Sequence, residues 1–105
     1  MRAACVLAAL ALLAWPVSAT VVAARVTVAD SATVVIANTF GNPLGVVVLN
    51  KCTADVFLGG AGVTTAAGLE LDPDASLSVV LWPGETLYGI VASSTCRVDV
   101  MSNRR

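Results

Sequence analysis

Between residues 54 and 95, short hydrophobic runs rich in valine, leucine and threonine are broken by glycine, proline, aspartate or serine about every ten residues. That spacing leaves room for short strands and for no amphipathic helix, which needs apolar positions three and four apart over a longer window. The same pattern extends to both sides and predicts strands over residues 25–29, 32–38, 45–50, 54–58, 76–82, 87–92 and 96–101. Turn chemistry separates them: Asp30-Ser31, Gly41-Asn42-Pro43, Gly59-Gly60-Ala61-Gly62, Asp72-Pro73-Asp74, Pro83-Gly84 and Ser93-Ser94-Thr95. In such segments glycine accepts positive φ, proline presets φ, and Asp, Asn or Ser hydrogen-bonds the turn backbone. The expected fold class is all-β, a small antiparallel β-sandwich of about seven strands.

A chain of 105 residues holds one domain with one modest core. It is 57% hydrophobic and only 12% charged, about half the usual charged share. Part of the excess lies at the N-terminus, where Arg2 precedes an uncharged run over residues 3–14, then Trp15-Pro16 and Val17-Ser18-Ala19. A positive start, a short apolar stretch, a helix breaker and small residues form the layout of a secretory signal. Residues 1–19 are therefore expected to be a leader cut after Ala19, with a translation start near Val21 or Val22 as the alternative. The apolar run falls short of the ~20 residues that a spanning helix needs, so no stable membrane anchor is expected. The sandwich domain is then 20–101, and residues 102–105, ending in Arg104-Arg105, are expected to be a solvated basic tail. Without the leader, five basic residues face seven carboxylates, a net charge of −2. No basic stripe with interleaved aromatics is present, so nucleic acid is not an expected partner.

Alternation fixes which side chains face inward. Cys96, Val98 and Val100 share one face of the last predicted strand and Arg97 and Asp99 the other, so the even positions are expected inside. Val56 and Leu58 point the same way, which turns Phe57 outward and leaves it in need of a cover. Residues 34–37, 45–49 and 79–82 are apolar on both faces, whereas a lone two-layer sandwich buries one face of each sheet. Covering one apolar side chain stabilises by roughly 1.5–3 kcal/mol. A homo-oligomer, or docking on a larger assembly, is the expected way to hide this surface.

Loss of the leader removes Cys5 and leaves Cys52 and Cys96, an even pair in a chain with an export signal. They are candidates for a disulfide, and both fall on the inward parity of their strands if the strand containing Val56 begins as early as Cys52. Two buried free thiols are the alternative. The chain contains no histidine, so neither a Ser-His-Asp nor a Cys-His arrangement can be built, and no catalytic residues or cofactors are expected. Glu70, Asp72 and Asp74 form the one acidic cluster in the sequence; ordinary turn chemistry explains it better than a hard-cation site, so no metal is assigned. Gly59-Gly60-Ala61-Gly62 lacks the following Lys-Ser or Lys-Thr of a phosphate loop, and its glycines read as a tight transition using positive φ. Phe57, Trp82 and Tyr88 are the candidate contact aromatics, since aromatic side chains dominate interface energetics.

The segments at 55–63, beginning Asp55-Val56-Phe57-Leu58-Gly59-Gly60, at 77–80, and Leu87-Tyr88-Gly89-Ile90-Val91-Ala92-Ser93 resemble a small β-domain of tailed-phage virion proteins, found in head-decoration, head-fibre and tail-associated proteins. The resemblance runs from about Arg25 to Val100. It implies a sandwich or jelly-roll-like barrel, a trimer, attachment to a major capsid protein or other virion component, and location in the virion as a non-enzymatic capsid decoration or accessory subunit. The hydrophobic leader and Cys52 and Cys96 depart from that pattern. An exported, secreted or periplasmic module binding a carbohydrate or cell-surface ligand through its Gly-rich and Ser/Thr-rich loops is the alternative, and a concave patch at Trp82 and Tyr88 would favour it.

Overall fold

The computed structural model describes residues 20–104 and the side chains of 21–103; the expected leader at 1–19 lies outside the described residues, as does Arg105. Eight strands form: β1 Thr20–Ala29, β2 Thr33–Ala37, β3 Leu44–Asn50, β4 Val56–Gly59, β5 Leu69–Leu71, β6 Ser76–Leu81, β7 Thr86–Ile90 and β8 Thr95–Arg104. They make two four-stranded antiparallel sheets, β1-β8-β3-β6 (sheet 1) and β2-β7-β4-β5 (sheet 2). The first strand lies beside the last, and the chain crosses between layers at most connections. This is a jelly-roll order, an all-β sandwich as the sequence predicts.

The core is built from small branched side chains, because alternating strands put every second residue between the sheets. Val28, Val46, Val48, Val98, Val100 and Cys96 of sheet 1 meet Val35, Val56, Leu58, Leu71, Leu87 and the nearby Val91 of sheet 2. Inward parity in β8 and β4 is as expected. Gly89 of β7 also points inward, and a Cβ there would come 3.1 Å from Val35 and 3.3 Å from Leu58, so the backbone itself fills that part of the core.

Three features differ from the expectations. The three-residue β5 is an additional strand; Leu69-Glu70-Leu71 is too short to stand out, and it forms by pairing with β4. Residues 102–104 are not a free tail, because β8 continues to Arg104 between β1 and β3, with Ser102 buried. The domain therefore reaches past the expected boundary at 101. β1 likewise starts at Thr20, well before Arg25, because its early residues pair in register with the end of β8.

Two buried asparagines close the ends of the sandwich with the same set of bonds. Asn38 donates from Nδ2 to the carbonyls of Asn42 (2.9 Å) and Leu81 (2.8 Å), while its Oδ1 accepts the Phe40 N–H. Asn50 donates from Nδ2 to Ala54 (2.8 Å) and Leu71 (2.9 Å), and its Oδ1 accepts the Cys52 N–H. Backbone bonds repeat too: Asn38 N–H to Glu85 O and Gly84 N–H to Asn38 O, matched by Asn50 N–H to Ala75 O and Asp74 N–H to Asn50 O. Each asparagine thus grips a Leu-x-Pro turn, residues 81–85 and 71–75. The turns have the pattern of type II, with Pro83 or Pro73 second and positive φ third, at Gly84 (88°) and Asp74 (64°).

Candidate functional site

The outward side chains of sheet 1 fall into aligned rows. Val21, Asn103, Gly45 and Val80 lie opposite one another across β1, β8, β3 and β6. The next row is Ala23, Met101, Val47 and Ser78, and the third is Arg25, Asp99, Leu49 and Ser76. Two rows are therefore mainly apolar, with Asn103 and Ser78 as their polar members, and the third carries charge. Val80 is 54% exposed, Met101 49% and Val47 37%. Val47 and Met101 form a shared wall between two shallow grooves of about 500 and 330 Å³. Arg97 follows at the charged end, with Nε 3.4 Å from Asp99 Oδ1. Among the described residues nothing covers this face.

The outer face of sheet 2 is treated differently. Residues 60–68 fold back over it, placing Val63, which is buried, against Gly59 and Phe57 beneath Gly68. A Cβ on Gly68 would lie 2.8 Å from Val63 Cγ2 and 2.9 Å from Phe57 Cβ, so only glycine permits this approach. Here is the cover that the outward Phe57 requires. The glycines at 59, 60 and 62 do not use positive φ, contrary to the sequence expectation; Gly84 alone does so among the described glycines. Close packing against Val63 explains Gly59 instead.

The candidate aromatics do not converge. Phe57 and Tyr88 point outward from sheet 2, both half-buried, whereas Trp82 is 61% exposed in the turn after β6 of sheet 1. Trp82 and Tyr88 thus belong to different layers and line neither groove.

Cys52 and Cys96 are bonded to each other, with Cα atoms 5.3 Å apart. Cys52 gets there without belonging to β4, which begins at Val56; the Asn50 side chain fixes the loop through the Cys52 N–H. The bond ties that loop to the start of β8.

The acidic cluster is composed of Asp55, Glu70 and Asp72, with one carboxylate oxygen of each within 4.8 Å of those of the other two. Asp74, expected in the group, is instead held in the Asn50 turn, and Asp55 takes its place because the β4–β5 register, continued one pair past Val56 and Leu71, sets it opposite Asp72 and diagonal to Glu70. A hydrogen bond with Asp55 and then repulsion from Asp55 raise the Glu70 pKa above its ordinary 4.5, with Asp72 adding to both. Such a triad can attract a hard cation loosely, but three open carboxylates are far from the six to eight oxygens of a calcium cage.

Sequence reasoning missed the rows of sheet 1, Asp55 and both asparagines. The repeated Leu-x-Pro at 71–73 and 81–83 was the available signal for the last.

No protein-family profile matches this chain, and no curated protein matches it significantly in sequence. Among solved structures the fold is similar to a chain of Bacillus endospore appendages, described as "a novel family of disulfide-linked pili", with a TM-score of 0.50 and 18% identity. The match covers 81% of this chain and 84% of that one, and at this identity the likeness is one of fold.

Proposed function

We propose that this protein is a non-enzymatic structural subunit that assembles with copies of itself outside the reducing cytoplasm. The observation that carries the reading is the bare outer face of sheet 1, where Val21, Val47, Val80 and Met101 gather on one side of a closed jelly roll. An apolar sheet face of this kind marks an interaction surface. The Cys52–Cys96 bond suits an oxidising compartment, as does the expected leader. Jelly rolls serve as building blocks in particle shells, and the fold neighbour belongs to the disulfide-linked pili of endospore appendages.

The tailed-phage resemblance favours a second setting for the same activity: a trimeric decoration or accessory subunit on a capsid. Light scattering and negative-stain microscopy of the purified full chain test both. Open filaments favour an appendage, and closed trimers that bind capsid shells favour decoration. A monomer at concentrations up to about 1 mM, where contacts of even ~4 kcal/mol would show, would refute self-assembly.

A further inference from the structure

We infer that the outer face of sheet 1 stacks on the same face of a second copy, about a two-fold axis parallel to the strands and running between β8 and β3. The inference rests on the assembly reading and names its contact.

Row order selects the axis. With the axis along the strands each row meets itself: Val21 opposes Val80 of the second copy, and Met101 opposes its Val47. Asn103 opposes its Gly45, whose missing side chain leaves the gap that the asparagine fills. Among the described residues Asn103 Oδ1, like Asp99 Oδ1, is buried with no hydrogen-bond partner. In the third row Arg25 opposes Ser76 of the second copy and Asp99 opposes its Leu49. An axis across the strands through the Met101 row would press the Val21–Val80 row onto that of Arg25 and Asp99, setting charge against valine.

Area supports the same occupant. Strands about 4.8 Å apart, and ten residues at about 3.4 Å each in β1 and β8, give a face of roughly 19 by 33 Å. Two stacked faces cover on the order of 1,000–1,200 Å², near the lower bound for a specific contact. Such a contact is reversible and, being isologous, closes at two copies.

Cross-linking and sedimentation of the full chain test the geometry. Val21 and Val80 sit at opposite edges of one sheet, about 14 Å apart, too far for an intrachain bond. The double variant Val21→Cys/Val80→Cys is expected to give a covalent dimer with a short bifunctional thiol reagent, which spans the gap left by sheets stacked about 10 Å apart, while each single variant gives none. Met101→Lys, at an exposed position, is expected to weaken association at least tenfold with an unchanged circular dichroism spectrum and Tm. Single variants that cross-link as fast as the double, closed trimers without cross-linked dimers, or a Met101→Lys protein that assembles normally would each overturn this face while leaving self-assembly standing. A wild-type protein that stays monomeric overturns both.

Discussion

Asn38 and Asn50 show how much one side chain can hold in a small sandwich. Each donates twice and accepts once, and every partner is a main-chain group that would otherwise be left open at the end of a sheet. Asn38→Ala or Asn50→Ala is expected to cost about 3 kcal/mol, since a buried polar group left unsatisfied costs about 1–3 kcal/mol and more than one is exposed; urea denaturation measures it. Asn38→Asp keeps the acceptor but loses both donors, and is expected to be as harmful. Glu70 gives a prediction of opposite sign. Its raised pKa means that the folded state holds the proton more tightly, so its contribution favours folding below the ordinary value of 4.5 and is lost as pH rises through the raised one. Glu70→Gln should therefore raise Tm at neutral pH, and the gap from wild type should close as pH falls below 4.5. A gap independent of pH would rule out carboxylate repulsion as the cause.

Among the elements, β8 carries most of the organisation of sheet 1, lying between β1 and β3 along its length. Truncation after Met101 removes three paired positions and the buried Ser102. It is expected to lower stability by about 2 kcal/mol, or roughly 10 °C in Tm; a solvated tail would leave Tm unchanged. The loop over sheet 2 depends on one close approach. Gly68→Ala should force Val63 and Phe57 apart, costing about 1–3 kcal/mol as overpacking does, and should open residues 60–68 to limited proteolysis. At this scale the legible parts of the sequence were those with local alternation. Cys96, Val98 and Val100 betrayed their faces because Arg97 and Asp99 stand between them. The first half of β1 was hidden, since Val21 to Ala24 merges with the apolar leader. β5 was hidden because a three-residue strand is specified by its partner rather than by its own pattern.

For the whole molecule, the Cys52–Cys96 bond closes a span of 44 residues, and loop entropy makes it worth about 4 kcal/mol by restricting the unfolded chain. Denaturant titration with and without reductant should show a lower midpoint on reduction; an unchanged midpoint would count against a stabilising bond. The sequence by itself determined the all-β class, the inward parity of the core strands and an excess of apolar surface, because turn residues and alternation act over a few neighbours. Only the tertiary structure decided where that excess lies. Val21, Met101, Val47 and Val80 become one surface through strand order and register, which join residues from both ends of the domain with those from its middle. The same holds for Asn38 with Leu81 and Asn50 with Leu71, 43 and 21 residues apart. Long-range pairing is a property of the folded sheet, and no local pattern encodes it.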